Sequence, residues 1–402
     1  MFEHATVPAH THETHRLSRE MINARCLALY VFQYGLLAPI MSVVNGTAVV
    51  AISSAGILFF VLFYNRQKLF INAKILLFIS CFGFLIFLKK IFQPESSMRA
   101  LVDFMLIVVP SLYIAGLNFD REYYFEVCKK LAIINFFINV LWPVVGVGDE
   151  YMRFGYAMLL TPVYLYCHYR INQISNAQSM SKSLWILMSV SLIEMLVFGS
   201  RGCLLCMMLV LLSDWLFIRR ISIKKIILMI FTAAFIAALP NIVNAVVQLF
   251  REHGFYSYSL TQLRIVLNQG LRGTSRETLY EFAISIIEEN FLFGAPLYQK
   301  IGSMDYAHNI FLQLGVDFGV AAIGVFFLFL CKVCYLLSRK TVGFVDKFYI
   351  ISIMSISLGR LMFSSTYWKR PEFWLFLGFI LAKGNSIINN GKGLKSVGNA
   401  YE

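Results

Sequence analysis

What this sequence has least of is charge. Asp, Glu, Lys and Arg make up 14% of its 402 residues and apolar residues 58%, where soluble domains run near about 25% and about 45–50%. A soluble globular fold is therefore excluded. Several stretches of about 18 or more nearly uncharged apolar residues can each cross a bilayer at about 1.5 Å per residue, which puts most of the chain in lipid. A short apolar signal core near the start is also missing. Residues 1–25 are polar and carry His4, His10, His12 and His15, so the first apolar helix is expected to act as its own signal. This tail reads as structureless, and its histidines as a compositional tract rather than a metal site. No internal repeat, second soluble domain or low-complexity linker is visible, and neither are the inverted repeats of many transporters.

Acidic residues are scarce beside basic ones, which leaves a net charge of +13. The cations bunch in short loops between apolar runs, as the positive-inside rule demands, so no nucleic-acid partner is expected. The 8 cysteines include two CxxC pairs, Cys203/Cys206 and Cys331/Cys334, with spacing that suits zinc. Both pairs lie inside apolar runs near opposite membrane faces and cannot share one ion. They read as packing residues, and no metal or cofactor is expected.

The candidate spans are 26–45, 46–64, 70–88, 100–118, 131–147, 155–170, 184–199, 203–218, 224–247, 308–337, 347–365 and 371–388. The fold class is thus all-α, a polytopic bundle of about twelve transmembrane helices. With the N-terminus inside, the cytoplasmic segments hold clusters such as Arg219, Arg220, Lys224, Lys225 and Arg339, Lys340, Lys347, while the short outer loops hold few cations. Both termini are expected inside. The chain then divides into helices 1–9 over 1–247, an outer loop over 248–307, and helices 10–12 with a tail over 308–402.

That loop is the one long connection, and connections of such length are usually functional or disordered. Thr274 to Glu277 reads as a capping box. Behind it Leu279, Phe282, Ala283, Ile286 and Ile287 share one helical face, with Glu277, Glu281 and Glu288 on the other. An amphipathic helix is expected to lie on the outer membrane surface or to cap the bundle.

Arginine near hydrocarbon is expensive, so outward-facing arginines raise the question of which anion they serve. The apolar run from Leu184 to Ile218 is interrupted at Gly199, Ser200, Arg201 and Gly202 and by Glu194 and Asp214. It is long for one crossing and short for two, so Arg201 at the hairpin tip can meet a lipid-linked phosphate. It can equally snorkel to water or pair with Glu194, seven residues earlier. Arg276 falls in the first turn of the loop helix, where the macrodipole disfavours a cation unless an anion binds; the plainer alternative is an exposed arginine beside Glu277 or Glu281. Arg360 lies inside the eleventh span near its outer end. Arg153 could pair with Asp149 or Glu150. His308 opens the tenth span and is either a general base at a hydroxyl or a satisfied polar cap. Tyr256, Tyr258, Tyr306, Tyr367 and Trp368 could stack on sugars or form an interfacial belt.

Three segments in order, GSRG at 199–202, SRETLYEFAISIIEENFLFGAP at 275–296 and HNIFLQLGVDFG at 308–319, resemble the C-terminal signature of the bacterial O-antigen polymerase and O-antigen ligase family. The resemblance covers about residues 196–325. This chain departs from the pattern in having Asn-Phe-Leu-Phe-Gly in place of the usual Asn-Pro turn, and Asp317 where Glu is commoner. The family implies a metal-independent, GT-C-like glycosyltransferase at the periplasmic face of the bacterial inner membrane. Its donor would be a glycan on undecaprenyl pyrophosphate and its acceptor a sugar hydroxyl on another lipid-linked repeat unit. Arg201, Arg276 and His308 would be catalytic, with Arg360, Arg153, Arg272 and Asn309 binding substrate. The partners implied are undecaprenyl-pyrophosphate-linked oligosaccharide, membrane lipid and a chain-length regulator protein.

Polymerase is preferred to ligase, which would use the same donor but attack with a lipid A-core sugar, because the match is imperfect and polymerases are the more divergent. A lipid-linked oligosaccharide flippase is the alternative of another class. The one-sided loop argues against it, and so do ionisable residues scattered in depth, Glu194, Asp103, Asp214 and Lys332, that form no path.

Overall fold

A computed structural model describes residues 9–398, apart from 45, 67–71, 143–150, 177–178, 219–240, 254–259, 262–263 and 266–274. The described residues are helical with irregular connections and contain no strand; a single bridge pairs Ile301 with Met304. In chain order the helices are α1 (Ala9–Leu36), α2 (Ala38–Val43), α3 (Gly46–Tyr64), α4 (Ala73–Phe92), α5 (Arg99–Gly116), α6 (Arg121–Asn139), α7 (Tyr151–Met158) and α8 (Leu160–Asn176). They continue as α9 (Lys182–Phe198), α10 (Arg201–Phe217), α11 (Ser275–Glu289), α12 (Ile310–Phe318), α13 (Val320–Ser338), α14 (Phe344–Leu361) and α15 (Pro371–Gly398). Among the described residues α4, α5 and α13 are long and apolar enough to cross a membrane. Phe84 and Phe87 of α4 and Val325, Phe327 and Leu328 of α13 face outward, as lipid contact requires, whereas α5 is mostly buried.

Polar caps set several boundaries. Asn72 accepts from Lys74 N at 3.0 Å to open α4, and Asp120 accepts from Tyr123 N at 3.0 Å to open α6. Inside α5 the residues Phe104–Val108 form a π turn, because Pro110 has no N–H to give to the preceding turn.

The core is built where α1 packs on α6, α6 on α8, α8 and α10 on α14, and α5 on α15. Tyr30, Tyr124, Tyr164 and Tyr349 are fully buried there, and the Tyr124 and Tyr164 hydroxyls meet at 2.9 Å. Polar groups lock helix pairs: Asn135 donates to Ala157 O at 2.9 Å and Thr161 Oγ1 at 3.0 Å, and Asn139 to Gly35 O at 3.2 Å. Cys206 packs so closely on α14 that a Cβ on Gly359 would lie 2.4 Å from its sulfur.

Three expectations change, and a fourth lies mostly outside the described residues. The 1–25 tail is not structureless, since α1 begins at Ala9; the stretch from there to Arg25 holds no Gly or Pro to stop a helix. Span 26–45 stops at Leu36, and α2 restarts with Pro39 in its first turn. The single span 308–337 is two helices, because Gly319 stands at φ 78°, ψ −179° between α12 and α13. Of span 224–247 only the part from 241 is described, and 241–252 is helical.

The loop helix is present as α11. Leu279, Ala283 and Ile287 bury themselves with Ala295, Ile301 and Val316, so α11 caps α12. Glu277, Glu281 and Glu288 face out. Phe282 lies 49% exposed instead of joining the buried face, against the Gly302 turn. Thr274 of the expected capping box lies outside the described residues.

A Cβ on Gly319 would sit 2.4 Å from Leu292 O in a backbone region open only to glycine. Gly319→Ala should therefore lower the thermal midpoint and folded yield through strain on the order of 1–3 kcal/mol. Gly56→Ala, where nothing lies within 4 Å of the added Cβ, should leave both unchanged. Size-exclusion profiles over a temperature series measure the pair, and equal midpoints would show that Gly319 is not the hinge.

Candidate functional site

Arg360 stands in the last turn of α14. Its carbonyl accepts from Phe363 N at 3.1 Å and Ser364 N at 2.9 Å, so the chain turns at once. Residues 362–370 form a hook, with a 3₁₀ turn over Tyr367–Lys369, that ends where Pro371 opens α15. Asp317 of α12, 1% exposed, holds this hook. Its Oδ2 accepts from Tyr367 Oη at 2.5 Å and Trp368 Nε1 at 3.0 Å, and its Oδ1 from Gln313 Nε2 at 3.1 Å. Gln313 Oε1 in turn accepts from Ala307 N at 2.9 Å, which ties down the residue before His308.

Arg276 and His308 both reach the hook. Arg276 Nη2 donates to Phe363 O at 3.1 Å, and His308 Nδ1 lies 3.3 Å from the same oxygen. A carbonyl only accepts, so the proton sits on Nδ1 and Nε2 keeps its lone pair. The backbone of His308 is left-handed at φ 53°, a conformation uncommon outside Gly that Asn, Asp and His adopt more readily than other residues. The Asn309 cap fixes it there, with Oδ1 accepting from Phe311 N at 2.9 Å and Leu312 N at 3.4 Å. The Tyr306 ring lies 4.3 Å from the imidazole, centroid to centroid, and its hydroxyl donates to Ser364 O at 3.2 Å.

Behind this pair Arg360 is 5% exposed. Its Cζ sits 3.9 Å from the Tyr34 ring centre and 4.5 Å from that of Tyr156. Arg370 lies 5.1 Å over the same Tyr34 and donates from Nε to Ser365 Oγ at 2.5 Å. Arg153 donates to Met41 O at 2.5 Å, and its charge also bears on Tyr34. Neither Arg360 nor Arg370 has a carboxylate within ion-pair distance among the described residues, and Arg360 Nε is buried without a partner. The rings offset part of that cost through cation–π attraction.

The electrostatics point one way. Burial pushes Arg370 below its ordinary pKa, and the neighbouring Arg360 charge pushes it further. Lys369 is lowered by burial and then by Arg99. His308 is lowered by burial, against a smaller upward pull from its bond to Phe363 O, with Arg276 adding to the depression. Crowded cations of this kind stand ready for an anion, and the imidazole beside them is neutral near pH 7. A cavity of about 200 Å³ opens at the cluster, lined by Arg153, Lys369 and Arg370 together with the apolar Val50 and Ile107. Such a lining suits an anionic headgroup on an apolar chain.

Of the residues singled out in the sequence, Arg276 and His308 meet on the Phe363 carbonyl, Arg360 lies three residues before it, and Arg153 lines a cavity with Arg370. Arg272 lies outside the described residues, and so does the side chain of Arg201. The backbone beside Arg201 does reach the site, since a Cβ on Gly202 would lie 3.2 Å from Phe363 Cβ and 2.1 Å from the Tyr156 hydroxyl. The proposed i, i+7 pairing of Glu194 with Arg201 has no single helix to run on, because α9 ends at Phe198. Asn309 spends its oxygen on the cap. Tyr367 and Trp368 are 1% exposed and hold Asp317, so they offer no open ring to a sugar. Tyr256 and Tyr258 lie outside the described residues.

Sequence reading missed Arg370, Lys369, Tyr34 and Tyr156. The available signal is the basic pair directly ahead of Pro371, on a segment assigned to the outer side, where the positive-inside rule asks for none. No protein-family model matches the sequence, and no curated protein matches it.

The His308 ring should titrate below its ordinary value of 6.5, remaining neutral above that midpoint and becoming charged only as the pH falls through it. Arg276→Gln removes one of the depressing charges and should raise the midpoint. NMR of ring-labelled histidine with a His308→Asn control reads both, and a midpoint unmoved by Arg276→Gln would separate the two side chains.

Proposed function

We propose that this chain is a surface-polysaccharide polymerase that joins lipid-diphosphate-linked repeat units by glycosyl transfer at the outer face of a bacterial inner membrane. The observation that carries the reading is the meeting of the Arg276 and His308 side chains on the Phe363 carbonyl, three residues beyond Arg360. The resemblance of 199–202, 275–296 and 308–319 to the O-antigen polymerase and ligase family supports it. In this reading the chain crosses the bilayer about twelve times with both ends inside, and 248–307 is the periplasmic loop.

The chemistry follows from the residues. An acceptor hydroxyl oxygen attacks the anomeric carbon of the donor glycan, the bond from that carbon to the phosphate oxygen breaks, and the diphosphate leaves with the electron pair. The hydroxyl proton passes to His308 Nε2, the nitrogen left free by the bond from Nδ1. Negative charge grows on the leaving diphosphate, and Arg276, Arg360, Arg370 and Arg153 stabilise it. A preorganised donor of this kind is commonly worth about 10²–10³ in rate. Arg201 and Arg272 belong to the same clamp by the family resemblance. Val50 and Ile107 would take the first part of the lipid chain.

Complementation of a deletion strain tests the reading. Arg276→Ala and His308→Ala, at wild-type protein level, should each cut polymer by about 10²-fold or more, leaving lipopolysaccharide with single repeat units. Long ladders in either variant would defeat it. Lipopolysaccharide without any repeat unit, with lipid-linked polymer accumulating, would identify the chain as the ligase instead.

A further inference from the structure

A second cavity lies at the hook and shares only Lys369 with the first. Its volume is about 180 Å³, which about six waters would fill at about 30 Å³ each and which has room for one sugar ring. Three cations line it, Arg99, Lys300 and Lys369, against the single carboxylate of Asp305. Part of the Arg99 charge is already used, since its Nε lies 3.8 Å from the buried Asp103. Lys300 is exposed and Lys369 half-buried, and neither has an ion pair among the described residues.

The rest of the lining differs from that of a phosphate site. Tyr298 and Tyr306 contribute rings, and Ser97, Gln313 and Thr366 contribute short polar groups. The Thr366 hydroxyl is buried without a hydrogen-bond partner. Tyr298 is fixed from every side: its hydroxyl donates to Asp103, Arg99 lies 5.6 Å over its ring, and its ring centroid is 5.9 Å from that of Trp368. Rings beside short hydroxyl and amide groups match the C–H faces and hydroxyls of a pyranose. A bare phosphate has no use for rings, and a neutral sugar leaves the surplus of cations unanswered.

We propose that this cavity is the acceptor-sugar site and that the sugar it takes carries a carboxylate, as a hexuronic acid does. The role as acceptor site rests on the glycosyl-transfer reading, whereas the ligand chemistry rests on the lining alone. Tyr306 joins the two regions, because it lines this cavity and its ring lies tilted against His308, 4.3 Å between centroids. A ring held against Tyr306 therefore borders the base that takes its proton. The acidic group is held by Lys300, with Lys369 shared between the acceptor's charge and the donor's diphosphate.

The test uses the full-length protein in detergent, with methyl glucuronide and methyl glucoside as probes in saturation-transfer NMR titrations. The glucuronide should bind about tenfold or more tighter than the glucoside. Lys300→Glu, a change at an exposed position, should shrink that preference about fivefold or more without moving the thermal midpoint. Inorganic pyrophosphate should not displace the glucuronide at equal concentration. Equal binding of both probes, or a preference untouched by Lys300→Glu, overturns the proposal, and displacement by pyrophosphate reassigns the cavity to phosphate. Elongation of lipid-linked units is scored separately. A glucuronide preference without elongation sinks the transfer reading but keeps the acidic-sugar site; elongation without the preference does the reverse.

Discussion

The geometry of the site depends on one buried charge arrangement, in which the Lys89 ammonium and the Asp317 carboxylate are each saturated with hydrogen bonds. Lys89 Nζ donates to the carbonyls of Phe293 at 2.9 Å, Ala295 at 2.7 Å and Asp317 at 2.5 Å. All three ammonium protons are thereby used, which is the condition for burying a lysine. Asp317 takes three donors on its side chain. The arrangement ties α4 to the loop turn at 293–295, the turn to α12, and α12 to the hook. Glycines allow the approach: Gly294 at φ 71° lies against Val316 O and Phe318 N, and Gly319 at φ 78° against Leu292 O. His308 is placed by α12, and Phe363 and Arg370 by the hook, so the positions of imidazole and guanidiniums are set by a lysine and an aspartate that touch neither.

A comparison of the two ends of the molecule shows what the site has left unpaired. Asp346 and Arg360 stand in the first and last turns of α14, about 21 Å apart along its axis at about 1.5 Å per residue. At the Asp346 end cations have partners: Arg121 with Asp346 at 2.5 Å, Arg170 with Asp214 at 3.1 Å, and Lys129 with Glu126 at 2.7 Å. At the Arg360 end, Arg360, Arg370 and Arg276 meet rings, carbonyls and a hydroxyl. Arg121, Arg170 and Lys129 at one end thus meet carboxylates, although the buried Lys347 there bonds the Phe217 carbonyl, whereas Arg360, Arg370 and Arg276 at the other end meet neutral groups.

The sequence disclosed the parts of this plan that are periodic or local. Apolar composition gave the helical class, and the spacing of Leu279, Ala283 and Ile287 gave the buried face of α11. Arg276 and Arg360 stood out because cations beside long apolar runs are rare, and His308 because an imidazole at a span's start can act as a base. What sequence could not disclose was carried by contacts across long separations. Lys89 looks like a lysine snorkelling from the end of a span, and only the fold brings three carbonyls, 204 to 228 residues away, around it. Tyr34 and Tyr156 are two aromatics among many, and become a cradle for Arg360 because α1, α7 and α14 meet. The break at Gly319 was hidden by unbroken hydropathy, since a hinge in a glycine-only conformation costs no apolar residue.

The backbone at His308 carries the synthesis one step further. A non-glycine residue at φ 53° persists only where its surroundings over-determine it. Here Ala307 is held through Gln313 on one side and the Asn309 cap holds the other, while the side chain is pinned by Phe363 O and Tyr306. A histidine needed only to cap α12 would not require this, because Asn309 already does the capping. The constraint instead fixes the ring with Nδ1 spent on a carbonyl and Nε2 left over, and Arg276 on the same carbonyl discourages protonation of that ring. Strain, tautomer and neighbouring charge all favour a neutral, oriented base, which is the state that proton removal from a hydroxyl demands.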